Sequence, residues 1–434
     1  MQDREPTGAG REPPAQPDDP DAARARMAAI LRDGGRALSP EMQRAFASVP
    51  RHVFVPEVEP SAAYRDEALV IKCGPDGLPV SSSSQPAMMA IMLDQLGLQP
   101  GHRVLEIGTG TGYNAAVMAA IVGPGGEVVS IDIDPELAAR ARFGLRAAGY
   151  DRVSVHCADG GYGDPEGAPF DRIMVTAGAW DIAPAWLEQL TQAGRLVLPL
   201  SVRGIQLSVT LERRGARWVG TSACRCGFVR MLGAFAGPEQ VRRLGAAPGL
   251  YLQVADGSPA DLDALHRALT GPIADVRPRL SVSNLADLAD ADLWLTLRHP
   301  QLDRITVLAL PGGWLPRGPL PPLGGLVGHG SEPGKIGVAV LLPGETASNV
   351  PSPAGNGVLV RGYGPGGAEL ASMLAASLAD WADQGRPGTH NLSLALWPRH
   401  TAPCAPAPDD MITLDRPSAV IEAGWPRILR AAVS

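Results

Sequence analysis

The segment Val104-Leu105-Glu106-Ile107-Gly108-Thr109-Gly110-Thr111-Gly112 sets an acid ahead of alternating glycines where a short apolar run meets a helical pattern. At such a turn glycine lets the backbone approach a ligand, and the helix N-terminus behind it presents free N–H donors. A dinucleotide-binding fingerprint would place glycine at position 113, and that residue is Tyr113. The spacing E-x-G-x-G-x-G suits instead the methionine part of S-adenosyl-L-methionine. Glu106 can accept hydrogen bonds from its ammonium group, beside the backbone of Gly108, Thr109 and Gly110. Two further acids fall at the ends of the next apolar runs. Asp132 is placed to bridge ribose hydroxyls, and the Asp159-Gly160 pair to accept the adenine amino group. A single loop Asp is usually only solvated. Three acids at three successive strand ends, joined to a glycine turn, argue together for this cofactor.

These residues need a scaffold that ends its strands side by side. Short apolar runs over 104–107, 127–131, 153–157, 172–175 and 195–199 alternate with helical segments over 112–121, 135–148 and 184–192. That alternation predicts an α/β fold with a doubly wound, mainly parallel sheet. Runs over 205–212 and 216–224 follow with no helix between them, joined at Arg213-Arg214-Gly215, and predict an antiparallel hairpin at the sheet's end. Upstream, Ser39-Pro40 reads as a cap and first residue of a short helix. Beyond about residue 237 the character changes. Helices are expected over 259–269, 285–297 and 367–383, strands over 305–310, 336–342, 357–361 and 392–397, and a Pro/Gly-rich loop over 311–322. The division is therefore a disordered tail over 1–21, a catalytic domain over 22–236 and a C-terminal α+β domain over 237–434, expected to read the substrate.

The 434 residues are 45% hydrophobic and 19% charged, with a formal net charge of −7. That net charge argues against non-specific nucleic-acid binding, which needs a basic face, although an average does not exclude a local basic patch. No apolar run is long enough for a membrane span, and the polar first 21 residues do not form a signal peptide. A cytoplasmic protein is expected. Cys224-x-Cys226 has no second pair at ligand spacing and His156 is remote, so no metal site is expected.

The chain resembles protein-L-isoaspartate O-methyltransferases. The resemblance is carried by Val49-Pro50-Arg51-His52-Val53-Phe54-Val55-Pro56, Ala63-Tyr64, Ser84-Gln85-Pro86, the glycine turn through Tyr113, and Asp159-Gly160. It continues through Pro169-Phe170-Asp171-Arg172-Ile173, Thr176-Ala177 and Gly194-Arg195-Leu196-Val197-Leu198-Pro199. It implies a Rossmann-like class I methyltransferase that esterifies the carboxylate created when Asp isomerises. Ser84 aligns with the family's active-site serine, beside cofactor and substrate, and Ser82 with its threonine. The family's Gly-Gln-Thr-Ile-Ser is Val80-Ser81-Ser82-Ser83-Ser84 here, which opens the question of a different substrate. Ser84 and Ser82 are the expected catalytic residues, with Ser81 and Ser83 as helpers in a substrate loop.

The extra C-terminal length resembles a branch associated with ribosomally made peptides: lanthipeptides, graspetides and lasso peptides. So do Trp180-Asp181-Ile182-Ala183-Pro184-Ala185-Trp186, Cys226-Gly227-Phe228-Val229 and Pro365-Gly366-Gly367-Ala368-Glu369-Leu370-Ala371. That branch methylates an Asp of a macrocyclic precursor, and the ester then closes to an aspartimide that can open to isoAsp. The leading expectation is this tailoring reaction on a modified precursor peptide. The alternatives are repair of isoAsp in damaged proteins, and a catalytically silent module that binds a peptide or a partner enzyme.

Overall fold

The computed structural model describes residues 19–34, 38–75, 77–243, 251–254, 261–307, 324–329, 335–344, 356–403, 407–408 and 410–426. Of the tail expected over 1–21, residues 1–18 lie outside the described residues, as does the Pro/Gly-rich loop over 311–322, while Pro20 and Asp21 already belong to the first helix. Three helices open the chain: α1 (Pro20–Asp33), α2 (Pro40–Ser48) and α3 (Arg51–Phe54). Ser39 caps α2 as expected, its side chain accepting from Met42 N–H. An antiparallel hairpin of β1 (Leu69–Cys73) and β2 (Pro79–Ser83) precedes α4 (Pro86–Leu96). The serine run is thus mainly a strand, not the loop expected. Leu69, Val70 and Lys72 pair with Ser83, Ser82 and Ser81, so the run's backbone groups are partly met by a partner that its composition gives no hint of.

The alternating region follows: β3 (Arg103–Ile107), α5 (Tyr113–Val122), β4 (Glu127–Asp132), α6 (Pro135–Ala147), β5 (Ser154–Cys157), β6 (Phe170–Val175), α7 (Pro184–Glu188), β7 (Leu190–Val202), β8 (Ile205–Arg214) and β9 (Arg217–Arg225). Helix α7 is shorter than expected because Leu190 already pairs with Phe170 in the sheet. Strands β3 to β7 are parallel, and β7, β8 and β9 pair antiparallel. The order runs β5-β4-β3-β6-β7-β8-β9, so the order in which strands are added switches sides between the parallel neighbours β3 and β6. Ligands of open α/β sheets bind at the strand C-termini beside such a switch.

The rest of the chain adds β10 (Gln240–Arg243), β11 (Tyr251–Val254), α8 (Leu262–Leu269), β12 (Ile273–Val276), β13 (Ser281–Val282), α9 (Leu285–Arg298), β14 (Asp303–Val307), β15 (Gly324–His329), β16 (Ile336–Pro343), β17 (Asn356–Tyr363), α10 (Gly367–Asp383), β18 (Ser393–Pro398), β19 (Met411–Asp415) and β20 (Ala419–Gly424). Strands β10 to β17 form an antiparallel eight-stranded sheet. Strands β18, β20 and β19 extend the first sheet instead, with Leu396 opposite Trp218 of β9, and make it ten-stranded. They cover what would be an open β9 edge, a site of unwanted pairing when left bare. A cut at residue 236 therefore follows chain order and not the sheets. Helix α9 lies between the two: Leu293 and Leu297 pack in the core of the first sheet, Leu288, Trp294 and Leu295 in that of the second.

Candidate functional site

At the switch point the C-terminal ends of β3 and β4, the glycine turn and the serine strand enclose a cavity of about 950 Å³, its open mouth included. Gly108 must be glycine: its φ is +102° and a Cβ there would come 2.6 Å from Thr176 Oγ1. Thr176 fixes the turn from the next strand by donating to the Gly108 carbonyl at 2.7 Å. The hairpin closes over the turn, since a Cβ on Gly110 would lie 3.8 Å from Ser81 Oγ.

Glu106 is fully buried at the cavity's base. One carboxylate oxygen accepts from Ser130 Oγ at 2.6 Å and the other from Asn114 Nδ2 at 2.7 Å. Burial pushes its pKa up to about 7, against the pull of those two donors. Each oxygen keeps acceptor capacity. Asp132 accepts from Gly110 N–H at 2.8 Å and Asp134 N–H at 3.0 Å, and burial raises its pKa as well. Asp134 caps α6 and pairs with Lys72 at 2.6 Å, which ties the hairpin to the cofactor side of the cavity.

Of the residues singled out in the sequence, Ser81, Ser82, Ser83, Ser84, Glu106, Gly108, Thr109, Gly110, Asp132 and Gly160 all line this cavity. Asp159 does not. Its two oxygens accept from Gly161 N–H at 2.9 Å and from Ala234 N–H at 2.7 Å. The carboxylate expected to face an adenine holds the segment after β9 in place through Ala234. Ser81 and Ser83 are buried while Ser82 and Ser84 are half-buried.

Sequence reasoning passed over Arg51, Asn114 and the segment Val229–Leu232. Arg51 is wholly buried and donates to the carbonyls of Ala63, Arg65, Glu67, Ser83 and Ser84. Its one signal was an arginine set among Val, Pro and Phe. His52 Nδ1 lies 2.7 Å from Tyr64 Oη. Cys224 and Cys226 alternate along β9 and its end, and no group of three or more potential metal ligands exists among the described residues. No described helix is long and apolar enough to cross a membrane.

The lining fits S-adenosyl-L-methionine. Two acids, Glu106 and Asp132, match an ammonium and a diol. Asn114 and Tyr113 line the cavity, and Asn114 Oδ1 and Tyr113 Oη are buried without a hydrogen-bond partner among the described residues. Ile107, Ile131, Ile133, Leu137, Met89 and Met231 supply apolar wall.

Comparison with known proteins agrees. The family model described as Protein-L-isoaspartate(D-aspartate) O-methyltransferase matches residues 22–235. A Protein-L-isoaspartate O-methyltransferase of Methanopyrus kandleri is 42% identical over 50% of this chain and 95% of its own. Protein-L-isoaspartate O-methyltransferase 2 of Archaeoglobus fulgidus is 47% identical over 45% of this chain and 85% of its own. A solved protein-L-isoaspartate O-methyltransferase aligns with 86% of this chain and 96% of its own at 24% identity, with a TM-score of 0.48. The fold is that of class I S-adenosyl-L-methionine-dependent methyltransferases, and the enzyme class is carboxyl O-methyltransferase. The chain belongs to the protein-L-isoaspartate O-methyltransferase family.

Proposed function

We propose that the protein transfers a methyl group to the free carboxylate of an isoaspartyl residue in a protein or peptide. The observation that carries this reading is the family match over the whole of residues 22–235, with the serine strand lying over the cofactor turn. When bound, S-adenosyl-L-methionine supplies an electrophilic methyl group. No general base is needed, because a carboxylate is ionised at pH 7. The chain's task is to hold one oxygen in line at near-attack distance. Ser84 and Ser82 orient it through their hydroxyls, Ser81 and Ser83 support that strand, and buried Arg51 keeps the strand's backbone fixed. Glu106 holds the cofactor's ammonium group and Asp132 its ribose.

A second reading is favoured by two features: the serine run in place of the family's usual loop, and the additional eight-stranded sheet. In it the acceptor is an ordinary Asp side chain of a macrocyclic ribosomal peptide. The backbone nitrogen that follows attacks the ester carbonyl, expels methanol and closes an aspartimide, which can hydrolyse to isoAsp. The second sheet would then read the folded shape of the peptide.

One experiment separates the two. The protein is incubated with S-adenosyl-L-methionine and a linear isoaspartyl peptide, its Asp counterpart, or a macrocyclic Asp peptide, and intact mass is followed. Methylation of the linear isoaspartyl peptide alone supports the first reading. Methylation confined to the macrocycle, followed by loss of methanol, replaces it with the second.

A further inference from the structure

The charged residues lining the cavity are Glu106, Asp132, Asp134 and Arg230. Three are acids, which by themselves repel an incoming carboxylate. Arg230 is the one cation in this wall among the described residues, and it stands on a backbone fixed from two sides. Gly178 N–H donates to the Val229 carbonyl at 2.8 Å, and Met231 N–H donates to the Gly178 carbonyl at 3.0 Å. Gln206 brackets Phe228, donating to its carbonyl at 3.2 Å and accepting from its N–H at 2.7 Å. A Cβ on Gly178 would come 2.3 Å from Gln206 Nε2, so a side chain there would push this clamp apart. The guanidinium is anchored as well: Arg230 Nη1 donates to the Glu239 carbonyl at 2.8 Å. The side chain is exposed.

We propose that Arg230 binds the carboxylate of the peptide substrate and selects acidic acceptors over their amides. The assignment rests on the carboxyl-methyltransferase reading above. A guanidinium tied at one edge to a backbone carbonyl and exposed to solvent is pre-organised for a charge-assisted pair with a carboxylate. Transfer turns that carboxylate into a neutral ester. The attraction to Arg230 is thus strongest in the bound substrate, weaker at the transition state and least in the product. Arg230 therefore acts on affinity and ester release, while the serine hydroxyls act on the transfer itself.

The test compares wild type with Arg230→Gln and Arg230→Lys on a linear isoaspartyl peptide, with the corresponding carboxamide peptide as competitor. Arg230→Gln should raise KM about tenfold and leave kcat within about threefold, with Arg230→Lys in between. Wild type should bind the carboxylate peptide better than its amide, and Arg230→Gln should bind the two alike. Affinity for S-adenosylhomocysteine, by calorimetry, should not change. Unchanged KM and unchanged carboxylate preference overturn the assignment, as does a loss of S-adenosylhomocysteine affinity that tracks the KM rise. If wild type does not methylate the isoaspartyl peptide, the functional reading falls and this inference with it. Wild-type turnover with an unaffected variant removes Arg230 alone.

Discussion

Arg51 Nη2 donates to the carbonyl of Ser84 at 2.9 Å from a position with no solvent exposure. The same side chain gathers the carbonyls of Ala63, Arg65, Glu67 and Ser83. Burial lowers the guanidinium's pKa, opposed by Tyr113, Asp66 and Tyr64. Five backbone carbonyls thus take up the guanidinium's hydrogen bonds, and they are left unmet when it goes. Arg51→Met should cost at least about 3 kcal/mol of stability in urea unfolding. Arg51→Lys keeps the charge but cannot span five acceptors. It should lower kcat more than stability would suggest, because the Ser84 backbone loses its anchor.

Ser84→Ala tests the hydroxyl apart from that backbone. The side chain is half-buried. Stability should hold, kcat should fall about tenfold to a hundredfold through lost orientation, and S-adenosylhomocysteine affinity should stay. Ser82→Ala should follow in weaker form. Full kcat in Ser84→Ala would remove the serine from the transfer step.

Glu106 predicts a pH dependence of both stability and binding. Its folded pKa of about 7 stands above the ordinary 4.5. The folded state therefore holds the proton more tightly than the unfolded chain. The stabilising contribution is full below about pH 4.5 and is lost as pH rises through 7, roughly 3 kcal/mol in all. The difference in stability between wild type and Glu106→Gln should change by about that amount between pH 5 and 8, in favour of the variant at high pH. Binding runs the other way, because a cation is held by the ionised form. Affinity for S-adenosylhomocysteine should be about tenfold weaker at pH 6 than at pH 8 in wild type, and flat with pH in Glu106→Gln. Calorimetry over that range checks both slopes.

What the sequence disclosed follows from where its signals are local. The acid–glycine turn, the capped helix at Ser39 and the hairpin around Gly215 are each written within a few residues, and each stands close to where it was expected. The serine strand was misread because polar residues carry little strand propensity, and its partner Leu69–Cys73 lies across a turn. Asp159 sits at the expected strand end, but the group that claims it is Ala234 N–H, 75 residues away. The addition of β18, β20 and β19 to the first sheet depends on pairing Leu396 with Trp218, a contact no local pattern announces. Arg51 looked like one polar residue in an apolar stretch, and only the fold gathers its five carbonyls.

The last prediction concerns the joint between the two sheets. Asp292 on α9 accepts from Arg225 of β9 at 2.7 Å and from both terminal nitrogens of Arg304 on β14, at 2.9 and 2.8 Å. Burial pushes the Asp292 pKa up, but Arg304 and Arg225 hold it below the ordinary value, so the carboxylate is ionised. One buried anion thus bridges a cation from each sheet. Replacing a buried ion cluster with apolar groups can be neutral, whereas removing one partner strands the others. Asp292→Ala leaves two guanidinium groups facing each other in a dry site and should cost about 3–5 kcal/mol. Hydrogen exchange should locate the loss. Protection should fall in α9, β9 and β14 together, because the joint and not either sheet alone has been cut. The glycine turn and β3 should keep wild-type protection when S-adenosylhomocysteine is bound. Loss confined to α9 would show that the two sheets are held together by their apolar faces and that the ion cluster only fills the space between them.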